Sequence, residues 1–213
     1  ELMEDYGFPL KWTHMSKQQR LRAIQRLAEG IEVSTKSVRN KAIRSILYLL
    51  QGNFGECLTI DEQPKMARQN VFDLYEAGIF SIFIQLLQME IDNNMSATSA
   101  LRKPTVSLGD SVDIRVILSV LYTFVETINQ NDDNDDEHKL KLRQQFQEEI
   151  SQPNGNELLA ITLFQMTTKF CNGSAPHFPI KKVLLLLWKT LLLSLGGIET
   201  LKQNKILYRK RVD

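Results

Sequence analysis

The sequence predicts an all-α fold, an irregular armadillo- or HEAT-like stack of helical pairs. Three observations carry that reading. Apolar residues recur at intervals of three and four along most of the chain, the spacing of one helical face. The 10 glycines and 6 prolines of the 213 residues fall between the periodic segments, and they are too few for the turns of a many-stranded fold. No stretch sustains the apolar–polar alternation of a strand.

The elements follow in order. Leu21, Ile24, Leu27, Ala28 and Ile31 line a first helical face. Val38, Ala42, Ile43, Ile46, Leu47 and Leu50 line a second, stopped by Gly52. Pro64 suits the start of a third helix carrying Met66, Val71, Leu74 and Tyr75, ended by Gly78. Ile79 to Ile91 follows almost at once, so these two helices should form a tight pair. Asp110, with Ser111 beside it, is a candidate N-cap for a helix carrying Ile114, Ile117, Leu118, Leu121, Val125 and Ile128. A charged helix is expected from about Asp136 to Ile150, one capped by Asn156 through Phe170, a Leu-rich helix after Pro179, and a last one over Ile198 to Leu207. Such a succession of short helices suggests stacked pairs, though no repeat of fixed period is visible.

The most apolar run, "KKVLLLLWKTLLLSL", raises the question of a membrane. A spanning helix needs ~20 mostly apolar residues. Val183 to Leu195 supplies 13, with Lys189 in the middle. Lys182 and Lys189 are seven apart and share one narrow polar face, whereas a membrane-surface helix carries a broad basic one. A helix apolar nearly all round belongs in a core, so this one is expected in the middle of the stack. Two stretches are expected outside the core. They are the acidic run "NQNDDNDDE" near 129–137, read as a mobile loop, and the long connection from Asn93 to Asp110.

Composition bounds the function. A net charge of +1 gives no global field for nucleic acid. Two cysteines, Cys57 and Cys171, make no disulfide framework, which fits a reducing compartment. The opening at Glu1 without Met reads as a fragment of a longer protein, one domain over 1–213. His14, His138 and His177 belong to no cluster with metal-ligand spacing, and Cys171 with His177 is too little for a nucleophile pair. "QGNFGEC" lacks the Lys-Ser/Thr of a phosphate loop and reads as a helix stop and turn. The acidic run lacks the spaced ligands and glycine of a calcium loop. No feature points to an enzyme, a metal or a cofactor.

Basic residues are more informative. Between Ser16 and Ser45 lie eight Lys or Arg against Glu29 and Glu32. Arg39 falls among Ile43, Ile46 and Leu50, inside the apolar stripe, and a buried Arg needs a partner. That partner is either a carboxylate on a neighbouring helix or an anionic ligand or partner protein. Arg102-Lys103 and Lys181-Lys182 stand beside Pro-marked helix starts, which attract anions. Together these five residues are the candidate site, and an inositol phosphate or phospholipid headgroup, reached by peripheral membrane contact, is the ligand they would take.

Four segments, "RAIQRLAEGIEVSTKSVRNKAIRSILYLLQGNFGEC", "NVFDLYEAGIFSIFIQLLQMEIDN", "LRKPTVSLGDSVDIRVILSVLYTFVETI" and "TKFCNGSAPHFPIKKVLLLLWKTLLLSLGG", resemble in order the N-terminal domain of the striatin-interacting (Strip) proteins of animals and their fungal relatives. The likeness runs from about Lys11 to Gly197. It implies an armadillo-like, non-catalytic scaffold or adaptor in a complex of striatin, type 2A protein phosphatase subunits and germinal-centre kinases. It also implies a role in Hippo signalling, the cytoskeleton and endosome traffic, and a cytoplasmic, endosome-associated location. It carries over no individual binding residue. As part of a longer scaffold, the chain is expected to expose apolar surface on its last helices, where further repeats would stack, and to self-associate when isolated.

Overall fold

The computed structural model describes residues 11–101, 112–133, 135–153, 157–170 and 178–212, and every regular element among them is helical. After a single 3-10 turn at Trp12–His14 come α1 (Lys17–Glu32), α2 (Lys36–Leu50), α3 (Glu62–Glu76), α4 (Ile79–Leu101) and α5 (Val112–Asn129). These are followed by α6 (Glu137–Ile150), α7 (Leu159–Phe170), α8 (Ile180–Ser194) and α9 (Gly197–Val212).

Local chemistry sets the ends. Ser16 Oγ accepts from Gln19 N (3.3 Å) while Gln19 Oε1 accepts from Ser16 N (2.9 Å), a reciprocal cap that starts α1. Asp136 starts α6 by accepting from Lys139 N (2.8 Å). Pro64 sits third in α3, where its missing N–H leaves no hydrogen bond unmade. Gly78 (φ +78°) lets α3 turn into α4 at 76°, the expected tight pair. Gly52 (φ +83°) is constrained by space as well, because a Cβ there would lie 2.2 Å from Gln63 O.

The fold class is as expected, and the packed helices fall into larger groups. Helices come in threes, and the third helix of each group packs on the third helix of the group before. α1 and α2 form the first group with the 3-10 turn. In the second, α3 and α4 both pack on α5; in the third, α6 and α7 both pack on α8. The row α2–α5–α8 is the spine, and α5 is its centre. Ile114, Ile117, Leu118, Val120, Leu121, Phe124, Val125 and Ile128 are all buried. The Leu-rich run does not hold that central place. α8 ends the row and is buried on one side only.

The connection after α4 is also shorter than expected. α4 continues to Leu101, because 93–101 contains no glycine or proline and Ala, Met and Leu favour helix. The rest of that connection, with the candidate caps Asp110 and Ser111, lies outside the described residues, as does Asn156.

Three sets of contacts bind the groups together. In the first, Trp12 Nε1 donates to Asn70 Oδ1 (2.9 Å), and Asn70 Nδ2 donates to Leu49 O and Asn53 Oδ1 (both 2.7 Å). This buried amide ties the start of the chain and the end of α2 to α3. In the second, Tyr75, Phe80, Phe124 and Phe146 meet edge to face at 4.7–5.7 Å and join α3, α4, α5 and α6. On their flank, Glu149 accepts from Tyr75 Oη (2.9 Å) and Ser81 Oγ (2.6 Å).

The third is Arg68, whose guanidinium donates to Thr127 O, Gln130 O and Asp135 (Nε–Oδ1 2.9 Å), with a second, shorter bond to Asp135 Oδ2 and Asp132 at 3.5 Å. The acidic run is therefore a connection, as expected, but one gripped by an arginine, with the Asp135 side chain only 2% exposed. Arg143 donates to Asn129 O (2.5 Å) on the other side of the run, its pKa lowered by burial and by the charge of Arg68.

Replacing Asn70 with Ala should strand the Trp12 indole N–H and Asn53 Oδ1 inside the core. Urea denaturation should show a loss of ~2–4 kcal/mol, and a change within error would show that the amide holds nothing. The Tyr75 pKa is raised, first by burial and then by its bond to Glu149. In the unfolded chain tyrosine ionises near pH ~10, so above that pH the unfolded state sheds a proton that the native state keeps. Stability from this group is thus complete below pH ~10 and falls as pH rises. Tyr75→Phe should flatten the alkaline limb of the stability profile.

Candidate functional site

α8 has two unlike faces. Val183, Leu186, Thr190, Leu192 and Leu193 are buried. Lys182 Nζ donates to Ser119 Oγ (2.7 Å), and Lys189 Nζ lies 2.8 Å from Glu126 Oε2. The carboxylate raises the Lys189 pKa, partly offset by burial. The two lysines share one face, as their spacing predicts, and that face looks at α5. Both contacts join residues 63 apart in sequence, so α5 and α8 run parallel in fixed register.

At 100° per residue, the stripe Leu184, Trp188, Leu191 and Leu195 lies ~180° round the helix from that line. All four side chains are exposed, Trp188 by 55%. Leu185 adjoins the stripe; Ile161 and Phe164 on α7 and Ile198, Ile206, Leu207 and Tyr208 on α9 are exposed as well. An apolar stripe of this kind marks a place where protein is meant to pack.

A second apolar feature stands at the other end of the stack. The connection from α2 to α3 is held by bonds from Gly55 N to Tyr48 Oη (3.2 Å), Thr13 N to Glu56 Oε2 (3.1 Å), Leu58 N to Glu62 Oε2 (2.9 Å) and Gln63 Nε2 to Gln51 O (2.9 Å). From this ordered turn Leu58 and Ile60 project almost wholly into solvent, 92% and 90% exposed, with Phe54 beside them. The reading of "QGNFGEC" as a helix stop and turn was correct but missed these side chains. Two large aliphatics, flanking Thr59 in a connection rich in Gly and polar residues, were the available signal.

The basic residues singled out from sequence are not gathered into one cluster. Arg39 is half-buried, and its guanidinium donates to Val33 O (3.3 Å) and Ser34 O (3.2 Å). It needed a partner, and backbone carbonyls of the α1–α2 turn serve, rather than a carboxylate. Lys181 is exposed on the first turn of α8, and Lys182 reaches Ser119. Arg102 and Lys103 lie outside the described residues. Lys36, opening α2, meets Asp113 at the start of α5 (3.2 Å), so α2 and α5 begin at the same end of the stack. α8 begins there too, set back by about one and a half turns.

Little catalytic chemistry is assembled. A groove of about 350 Å3 between α3 and α6 is lined by Tyr75, Glu76, His138, Lys141, Leu142, Gln145 and Glu149. There His138 pairs with Glu76 at 3.4 Å, and charges of both signs alternate. Among the described residues no three His, Cys, Asp or Glu are placed to hold a metal. His14 is exposed, and the Cys57 thiol donates to Gly52 O (3.1 Å). Cys171 and His177 lie outside the described residues. Among those residues, too, no single helix is long and apolar enough to cross a membrane; α8 with α9 passes by length and composition only as a pair bent by 61°.

The family model described as N1221-like protein matches residues 3–213. Striatin-interacting protein 1 of Mus musculus and of Homo sapiens are each 48% identical over 196 residues, which is 92% of this chain and 23% of theirs. Striatin-interacting protein 2 of Homo sapiens is 45% identical over 197 residues, 92% of this chain and 24% of that protein. The chain thus spans about a quarter of the length of the curated relatives it matches. With a family model covering nearly every residue of this helical stack, the chain belongs to the N1221-like protein family.

Proposed function

We propose that this chain is a non-enzymatic scaffold or adaptor domain that helps assemble a striatin-containing phosphatase and kinase complex. The observation that carries the reading is the chain-long likeness to proteins named for their interaction with striatin. The geometry supports it, because stacked helical groups offer long ridged surfaces suited to several partners. Leu58 and Ile60 supply the contact: apolar anchors held out by an ordered turn lose little entropy when a partner covers them. Type 2A phosphatase subunits and germinal-centre kinases are the further partners of this reading, with Hippo, cytoskeletal and endosomal regulation in the cytoplasm as its setting.

A second reading is anion binding at the end of the stack where α2, α5 and α8 begin. There Lys36, Lys181 and Lys182 accompany helix N-termini, and an inositol phosphate or phospholipid headgroup is the ligand class.

Calorimetry separates the two. Titrating a reconstituted striatin–phosphatase-scaffold core should give binding that changes little between low and high salt, weakened ~10-fold or more by Leu58→Asp with Ile60→Asp. Those substitutions should leave stability within about 0.5 kcal/mol. Binding untouched by the pair would remove the turn from the interface, and no binding would remove this domain from assembly. Titration with inositol hexakisphosphate, lost at high salt and in Lys181→Glu with Lys182→Glu, would favour the second reading.

A further inference from the structure

We propose that the exposed stripe of α8 seats the third helix of a fourth helical group, the group that α9 opens. This rests on reading the chain as part of a longer scaffold. The internal repetition supplies the argument. α3 follows α2 and packs on it, α6 follows α5 and packs on it, and α9 follows α8 and packs on it. α9 therefore occupies the position of a first helix. α5 sits on α2 and α8 on α5, and the stripe Leu184, Trp188, Leu191 and Leu195 points away from α5, along the direction in which the row grows.

α5 shows what a third helix looks like once its successor is in place, with eight of its apolar residues buried and Val116 and Tyr122 partly so. The two ends of the stack also differ. At the first group the exposed positions of α1 and α2 include Arg22, Arg26, Lys41 and Arg44, the polar outer surface that closes a helical stack. On the last group the outer face of α8 is Leu and Trp, and no described residue buries it. In the matched relatives about three quarters of the chain lies outside the matched segment.

The occupant is thus an amphipathic helix parallel to α8 with an apolar stripe. The third helices begin at residues 36, 112 and 180, intervals of 76 and 68. The next would begin ~70 residues after Ile180.

The test is oxidative footprinting of the intact protein isolated from its own cells and freed of partners in high salt. Trp12, 2% exposed, is the internal reference for a buried indole, and Phe54, at the other end of the stack, for an exposed ring. The proposal expects Trp188 to be oxidised as slowly as Trp12, roughly 10-fold below its reactivity as an open surface residue, at every protein concentration and without lipid. A Trp188 that reacts like an exposed ring overturns it. Protection that appears only at high protein concentration assigns the stripe to a second copy, and protection only with anionic vesicles assigns it to a membrane; either overturns it. Trp188→Glu should break the protection of neighbouring Leu191 and Leu195, and a variant that leaves it intact also contradicts the proposal. A reactive Trp188 in a protein that still binds the striatin core would sink this inference and spare the scaffold reading. A protected Trp188 without such binding would do the reverse.

Discussion

The structure depends on burying the apolar faces of α5 against several helices at once. One helix cannot bury all its faces against a single neighbour, so α5 needs α2 on one side, α8 on the other, and α3 and α4 around the remainder. Each apolar side chain so buried contributes ~1.5–3 kcal/mol, and eight of them lie on α5 alone. The other organising contacts hang from this helix. Phe124 anchors the aromatic cluster that joins α3, α4 and α6, and Arg68 grips the carbonyls at the end of α5 and the acidic run beyond it.

Local order was legible in the sequence because it is a local property. The three-and-four spacing and the Gly and Pro stops placed the helices to within a few residues, except at the end of α4, which runs on to Leu101. The ranking of helices by burial was not legible. α8 is the more apolar, yet α5 is the more buried, although α5 carries Asp113, Ser119 and Glu126. Those polar groups meet Lys36, Lys182 and Lys189 from the flanking helices, so they are compatible with a central position. Composition cannot show that, since the partners lie more than 60 residues away.

The same limit hid the triplets. Their third helices recur at unequal intervals, stretched by a long α4 and by connections of different lengths, so no fixed period appears in the residues. At the candidate sites, the sequence correctly marked Arg39 as a residue in need of a partner, but backbone carbonyls satisfy it. Asn70 lies four residues from both Met66 and Leu74, an amide inside an apolar stripe, and that was an overlooked sign of the buried network around Trp12.

The stack consequently has a direction. Its first group presents charge to solvent and carries one ordered turn with Leu58 and Ile60; its last presents a Leu and Trp surface shaped by the same packing rule that buries α5. On the proposed reading, the stack keeps the surface that extends it apart from the surface it offers to partners.

The most direct measurement of this account is native-state hydrogen exchange across the helices. If the α2–α5–α8 row is the spine, the amides of α5 exchange slowest and only through global unfolding, with the flanking helices opening earlier. An α5 that exchanges as fast as α7 or α9, through local opening, would contradict it.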